Sequence, residues 1–337
     1  RSDGPACWMG LFGRCAVAFI IVVLVGFSES APQRRLGEDV QGHCSVVADS
    51  GTAIDGPCTP AEFVAALKDG PGVFNFTLPL GGCAFHPSDV LVEDGQTVEI
   101  LAHANSTEPA PVRAHFTVHG SLRLDFVRIE GSRRGVAFMM GQETRLQVDR
   151  CVFAENHYDF GGAIAMIDGD LQVRYSTFEN NVDENAGYGG GAIYSESGVV
   201  GVHDCDFRGN RALSRGGAIF INGGGHDQRH VNLIVDSCRF ENNVALEGSA
   251  VHVTDLLGDM DLGWQITNSN FSFNVPASDT VVFHGKDGTR KAWSDAVATG
   301  ATVPNRQIKC DPDSRPAEMC PGGLPCPHCG QRFCWCL

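Results

Sequence analysis

Apolar and polar side chains alternate in short runs along most of the chain. Runs such as 98–101 and 115–118 carry apolar residues at every second position and are separated by turns. This period of two predicts short β-strands that bury one face. The segment 60–69 differs, because its apolar residues follow a helical spacing. Thr59 is the expected N-cap, and Pro60 stands at the first helical position. We predict a short helix there, at the start of the strand-rich region.

The alternating runs become a repeat between residues 122 and 275. Five Phe-x-x-Asn units recur at Phe-to-Phe spacings of 25, 29, 33 and 31 residues. Gly-Gly-Ala-Ile follows at 161–164, 190–193 and 216–219, and a degraded copy lies at 248–251. A period of this length with three short β-type segments predicts one coil of a solenoid.

Stacked coils place equivalent residues above one another, about 4.8 Å apart. We expect the phenylalanines to stack in the core and the Gly-Gly pairs to supply a positive φ at one corner. The asparagines of the five units are expected to form a structural ladder in which each amide hydrogen-bonds the next. This ladder comprises Asn156, Asn181, Asn210, Asn243 and Asn274.

The predicted fold is all-β. It is a right-handed parallel β-helix over residues 60–308, with a short N-terminal cap helix and a cysteine-rich tail at 309–337. Residues 31–59 are polar and are interpreted as a linker or cap. Residues 1–30 are predicted to be a signal peptide, because their apolar run is shorter than the roughly 20 residues that cross a bilayer. The alternative is an uncleaved anchor, with the run at 15–27 as a single membrane segment.

The charge and the composition of the chain indicate its cellular location and exclude one class of partner. The formal net charge of −15 argues against a nucleic-acid partner, since phosphate binding needs concentrated positive charge. Fourteen cysteines and 41 glycines are typical of a glycine-rich β-protein from an oxidising compartment. We therefore expect a secreted, extracellular or cell-surface protein. Membrane contact is expected only through the N-terminal apolar segment, if that segment stays uncleaved.

The cysteines fall into three groups beyond the N-terminal segment. Among Cys44, Cys58 and Cys83, near the cap, one disulfide is expected. The cysteines that precede Phe in the repeats are expected to be small buried residues. The tail holds six disulfide candidates, although a zinc site is the alternative for the Cys-x-x-Cys spacing at 326–329. These six are Cys310, Cys320, Cys326, Cys329, Cys334 and Cys336. Separately, Asn105 heads an Asn-x-Thr sequon in a polar stretch and is a glycosylation candidate.

Gly-Gly-Ala-Ile paired with Phe-x-x-Asn resembles the repeats of polymorphic outer-membrane proteins. Those repeats lie within the pectin-lyase-like β-helix superfamily, and the resemblance covers roughly residues 122 to 275. It implies a right-handed β-helix and a general surface or adhesive role, and we do not extend it to outer-membrane anchoring.

The same superfamily includes polysaccharide lyases, hydrolases and epimerases, so an enzyme is the alternative. The best catalytic candidates would lie in one outer column of successive coils: Asp149, Arg174, His203 and Asp236. Solvated surface residues with local pairing are favoured over catalysis for this column, because charged residues normally lie outside. A Gly-His element in the loop 222–230 is a weaker candidate.

No cofactor is predicted. Calcium is the one ion left open. The acidic loops 183–185 and 255–261 could bind Ca²⁺ weakly, but neither has the ligand spacing of an EF-hand loop. The favoured function is a binding or adhesion scaffold for an extracellular glycan or a surface protein. The alternative is a polysaccharide-active enzyme, either a pectate or alginate lyase-like protein or an epimerase. Mutually paired charges on the outer column would favour the scaffold.

Overall fold

A computed structural model describes residues 41–48, 53–223, 231–255, 263–285 and 287–298. The predicted signal segment, the cysteine-rich tail and most of the loop 222–230 lie outside these residues. The described chain is mostly β-strand and forms a β-solenoid of about seven turns, which confirms the predicted β-helix.

Three stacks of parallel strands form the walls of the solenoid. Face A consists of Gly72–Thr77, Gln96–Leu101, Ser121–Asp125, Arg145–Asp149, Asp170–Arg174, Gly198–His203, Val231–Asp236 and Gly263–Thr267. Face B consists of Val127–Glu130, Val152–Ala154, Thr177–Glu179, Asp206–Arg208, Arg239–Glu241 and Asn270–Ser272. Face C consists of Ala137–Met139, Ile164–Met166, Ile193–Ser195, Ile219–Gly223, Val251–Asp255 and Val281–Gly285.

Shorter and longer strands connect these faces. A corner stack between faces B and C is formed by His157–Tyr158, Val182–Asp183 and Arg211–Ala212. In the first coils the two faces are continuous, because the long strand Ala110–Val118 pairs with face B in its first half and with face C in its last residues. It also pairs with Cys83–Val92 of the preceding coil.

Both ends of the solenoid carry antiparallel strands. At the N-terminal end, Gly42–Ala48 pairs with Ala53–Cys58 and extends face A beside Gly72–Thr77. At the C-terminal end, Arg290–Trp293 pairs with the last strand of face C, and a short helix follows at Asp295–Ala298. Such end elements cover the unpaired edges that a stack of strands would otherwise present.

The predicted N-terminal helix is present at Pro60–Ala66, and a 3₁₀ turn follows at Leu67–Asp69. Thr59 and Glu62 form a capping box, in which the Thr59 hydroxyl accepts from the Glu62 N–H and the Glu62 carboxylate accepts from the Thr59 N–H. Phe63 is fully buried against Phe76, with ring centroids 5.0 Å apart. The helix therefore covers the apolar interior of the first coil.

The described part of the polar segment before the helix forms the antiparallel hairpin of Gly42–Ala48 and Ala53–Cys58. Cys44 and Cys58 lie diagonally across the antiparallel hairpin with Cα atoms 5.7 Å apart, and they form a disulfide. Cys83 is buried and unpaired, and burial raises the pKa of its thiol to about 12.

The repeats produce two continuous ladders inside the walls. Consecutive phenylalanine rings from Phe153 to Phe271 stack with centroids 4.8–4.9 Å apart and planes within 12°. Val148, Val173, Val202 and their equivalents form a second buried column on face A. Each repeat residue thus contacts its own counterpart in the next coil, as the periodicity predicted.

The cysteines of the repeats behave as small core residues. Cys151, Cys205 and Cys238 are buried and unpaired. Burial raises the pKa of the Cys151 thiol to about 12, so this thiol stays protonated at neutral pH.

Candidate functional site

The four predicted catalytic candidates lie in register on the outside of face A. Asp149 is paired with Arg174, Arg174 with His203, and His203 with Asp236 in consecutive coils. Each side chain follows the last inward-facing aliphatic residue of its strand, so the alternation of the strand turns it outward. The column exists as predicted, while its catalytic role stays a prediction.

Asp236 is held by hydrogen-bond donors. Its carboxylate accepts from the hydroxyl of Thr267, from Asn268 Nδ2 at 2.8 Å and from the Ser237 hydroxyl at 3.1 Å. His203 Nε2 lies 3.5 Å from Asp236 Oδ2. Burial raises the pKa of this carboxyl, but the three donors and the nearby imidazole outweigh burial and lower the pKa below its ordinary value. Asp236 is therefore an ionised, locally bonded carboxylate.

The two predicted carboxylates of this column, Asp149 and Asp236, are far apart. Three coil steps separate Asp149 from Asp236, which corresponds to about 14 Å along the axis. Paired carboxylates in glycoside hydrolysis stand about 5–10 Å apart. Asp149 also accepts a hydrogen bond from Gln147 Nε2 at 2.7 Å. The local pairing seen around Asp149 and Asp236 favours a solvated, ion-paired surface.

A third carboxylate, which was not predicted from the sequence, continues this column in the preceding coil. Asp125 is the register partner of Asp149 in the preceding coil and is only 8% exposed. Arg123 Nη2 donates to it at 3.0 Å, and Arg150 donates to its other oxygen through Nε at 3.0 Å and Nη2 at 2.6 Å. The signal was available, since Asp125 follows Leu124 of the worn first repeat as Asp149 follows Val148.

A second surface feature lies where the corner stack meets face C, and we call it the aromatic patch. Its rings are Tyr158, Phe160 and Tyr188, which are all partly exposed. The Phe160 ring centroid lies 4.2 Å from that of Tyr188 and 5.9 Å from that of Tyr158. The patch continues inward through Tyr194, whose centroid lies 5.6 Å from that of Tyr188.

Acidic side chains border the aromatic patch. Asp159 and Glu184 are exposed, and His157 Nδ1 lies 2.8 Å from Glu184 Oε1. Asp183 is fully buried beneath them, and neither of its carboxylate oxygens makes a hydrogen bond of normal geometry. Burial raises the pKa of Asp183 to about 7. The N–H of Asn185 opposes this rise, and the charges of Asp159 and Glu184 add to it.

This corner includes one of the two loops considered for Ca²⁺. Asn185 Oδ1 is engaged by the N–H of Gly187 at 2.8 Å, and Asp183 lies buried. The other loop, 255–261, lies almost wholly outside the described residues. Within the described residues, the ligand-type side chains that do converge are Glu247, His252 and His284, at the C-terminal end of face C.

The remaining predicted site residues have these positions. Asn105 is exposed in the turn before Ala110–Val118, which is compatible with glycosylation. The six tail cysteines lie outside the described residues. No helix in the described ranges is long and apolar enough to cross a membrane.

Comparison with known families identifies the repeats. Residues 175–196 and 204–222 match the model of the Chlamydia polymorphic membrane protein repeat, and they correspond to two adjacent coils of the solenoid. These two coils are therefore similar to polymorphic membrane protein repeats. Together with the β-solenoid, these repeats indicate a surface β-helix protein, as the motif resemblance implied.

A short similarity to a curated protein was also found. A stretch of 77 residues is 38% identical to metabotropic glutamate receptor-like protein P of Dictyostelium discoideum. It covers 23% of this chain and 5% of that protein, so the chain spans a small part of its relative. No solved structure is detectably similar to the chain.

Proposed function

We propose that this protein is a secreted or surface-attached binding scaffold whose aromatic patch contacts extracellular glycans. The observation that carries the proposal is the set of partly exposed rings, Tyr158, Phe160 and Tyr188, beside the exposed carboxylates of Asp159 and Glu184. Aromatic rings offer flat apolar area to the C–H faces of sugar rings, and carboxylates accept hydrogen bonds from sugar hydroxyls.

The rigid solenoid suits such a role. A stack of coils presents a long surface whose side chains are fixed by the backbone ladder, so a ligand meets a preorganised surface. The family description of the repeats supports a surface location. The Dictyostelium relative is named as a receptor-like protein, which supports it further, and the matched stretch is a small part of that protein.

The second candidate is a polysaccharide lyase or epimerase that acts on the outside of face A. It is favoured by the in-register column of Asp149, Arg174, His203 and Asp236, and by the neighbouring carboxylate of Asp125. The donors that already occupy Asp125 and Asp236 weigh against it, because a general base or metal ligand needs a free lone pair.

The test is a glycan-array and calorimetric binding assay on the purified chain, with Tyr188→Ala as the first variant. Loss of one stacking ring is expected to weaken glycan binding about tenfold. Tyr175→Ala is the matched control, because Tyr175 is 63% exposed and lies at the corner between faces A and B. Equal binding by both variants would contradict the proposal.

Turnover is measured on the same sample with uronate polymers, with and without Ca²⁺, by unsaturated-product absorbance and reducing ends. Activity that disappears in Arg174→Ala or Asp236→Ala would establish the enzyme instead. Glycan binding without turnover is the outcome expected of the scaffold.

A further inference from the structure

Three side chains with metal-binding atoms converge on the outside of face C near its C-terminal end. One ring nitrogen from His252, one from His284 and a carboxylate oxygen of Glu247 all lie within 4.8 Å of one another. The two histidines come from adjacent strands, in which Thr254 is the register partner of His284. Glu247 stands in the turn that leads into the first of these strands.

The polar atoms of the two imidazoles are incompletely used. His252 is fully buried, and its Nε2 lies 3.1 Å from the Thr254 hydroxyl. The backbone carbonyl of Glu247 lies near the ring, but Nδ1 makes no hydrogen bond of normal geometry. His284 Nε2 is also buried without a hydrogen-bond partner and lies 3.8 Å from Glu247 Oε2. A buried ring nitrogen without a partner costs free energy, so two of them in imidazoles whose centroids lie 5.0 Å apart require an explanation.

Thr254 provides the arrangement that a metal-binding histidine needs. When the Thr254 hydroxyl accepts from Nε2–H of His252, the proton is fixed on Nε2 and Nδ1 presents its lone pair. Ligating histidines generally donate their second N–H in this way, which fixes the tautomer and the ring orientation.

The carboxylate is loosely held and accessible. Arg215 Nε lies 3.7 Å from Glu247, and Arg290 Nε lies 3.9 Å from it, which are ion-pair distances rather than hydrogen bonds. Arg290 is bound more closely by Asp279, through Nη2 at 2.9 Å. The Glu247 and His284 side chains are 34% and 30% exposed, so an ion can reach them from solvent.

We propose that Glu247, His252 and His284 form a site for a divalent transition-metal ion, with Zn²⁺ as the expected occupant. Two imidazoles and one carboxylate are a ligand set that Zn²⁺ uses, with water in the fourth position. Tetrahedral zinc places neighbouring ligand atoms about 3.4 Å apart, so the side chains must close by up to about 1.4 Å. Rotation of the part-exposed Glu247 and His284 supplies this movement. Hard cations such as Ca²⁺ prefer all-oxygen sites and are not expected here.

The test is titration of the full-length, chelator-treated chain with Zn²⁺ by calorimetry and with Co²⁺ by visible absorption. The expected result is one site with the Co²⁺ spectrum of nitrogen and oxygen ligands. His284→Gln and Glu247→Gln are expected to weaken binding at least about 100-fold, and Thr254→Val about tenfold. Arg215→Gln is expected to strengthen binding, because it removes a positive charge beside the ion.

His203→Gln is the matched control, since His203 also lies beside a carboxylate but on face A. It is expected to leave Zn²⁺ affinity unchanged.

Metal binding by the cysteines of the tail is told apart in two ways. Thiolate ligands would give a thiolate-to-cobalt charge-transfer band, and alkylation of the thiols would abolish their binding but should not affect this site. Binding that is absent, that survives both His284→Gln and Glu247→Gln in folded protein, or that disappears on alkylation would overturn the proposal. Circular dichroism checks that each variant is folded, and Thr254→Val keeps every ligand in place.

Discussion

The asparagine ladder should be the most sensitive polar element of the solenoid. Asn210 Oδ1 accepts from both the backbone N–H and the side-chain Nδ2 of Asn181, at 3.1 and 3.0 Å. Asn210 Nδ2 in turn donates to the carbonyl of Phe178 at 2.9 Å and to Asn243 Oδ1 at 3.1 Å. The same pattern joins each asparagine from Asn156 to Asn274, and all five are at most 1% exposed.

Asn210→Ala removes partners from three buried groups at once. The N–H of Asn181, one Nδ2 hydrogen of Asn181 and the carbonyl of Phe178 lose their hydrogen bonds, while Asn243 Oδ1 keeps the backbone N–H of residue 210. Each buried group left without a partner costs about 1–3 kcal/mol, so the sum is about 3–9 kcal/mol. Water entering the space would bring the cost toward the lower end.

Urea denaturation followed by far-UV circular dichroism measures this loss, with thermal unfolding as a second readout. At about 2–4 °C per kcal/mol for a chain of this size, the lower limit corresponds to a fall in Tm of about 6–12 °C. Asn270→Ala is the control, because it makes the same exchange at an exposed position of face B. Asn270 heads an Asn-x-Ser sequon, so all proteins are compared in unglycosylated form. It is expected to change stability by about 0.5 kcal/mol or less.

The reasoning fails if Asn210→Ala and Asn270→Ala have the same midpoint. It also fails if Asn210→Ala lowers the free energy of unfolding by no more than the loss of one exposed hydrogen bond would. Because repeat proteins can unfold in parts, the midpoint is compared between circular dichroism and tryptophan fluorescence before a free energy is extracted.

Two further predictions concern carboxylates. Between pH 4 and 7 the folded chain keeps a proton on Asp183 that the unfolded chain releases, so this group makes the free energy of unfolding fall as the pH rises. The pKa rise from 3.8 to about 7 corresponds to a fall of at most about 4 kcal/mol. Asp183→Asn should therefore raise Tm at pH 8 and have little effect at pH 4, and an equal effect at both values would refute the assignment. Asp295 ends the asparagine ladder by accepting from the N–H and Nδ2 of Asn274, at 3.2 and 3.0 Å. Asp295→Ala should speed hydrogen exchange in the last coil, with the coil at Asn156 as the internal reference, and uniform exchange would contradict this capping role.

The repeat periodicity was sufficient to predict the interior. Phe207 and Asn210 recur with the same neighbours in every coil, and a parallel stack can satisfy such residues only by placing each above its counterpart. For the same reason the outer column of face A could be predicted in register from the sequence. The partners of Asp236 could not, because Thr267 and Asn268 lie in the next coil at outer positions where the residue type changes from coil to coil.

The candidate sites depend on contacts that cross the coils. Phe160 and Tyr188 are 28 residues apart in segments of different length, so no local pattern indicates that their rings meet. Glu247, His252 and His284 likewise come together only because two strands of face C stack beside a turn. Loops of irregular length between regular strands leave the positions of such side chains undetermined until the stack is known.

The sequence by itself therefore determined the coil, its inward-facing ladders and its helical cap, because each follows from a local period repeated along the chain. The tertiary structure decided the backbone at the corner between faces A and B, where Arg150 and Tyr175 have φ values of 55° and 51° although neither is glycine. This left-handed conformation is unfavourable for an isolated residue. It is held by hydrogen bonds between coils, from the N–H of Arg150 to the carbonyl of Arg174 at 3.0 Å and from that of Tyr175 to His203 at 3.1 Å. Those partners exist only after the coils have stacked, so the corner is a property of the assembled solenoid.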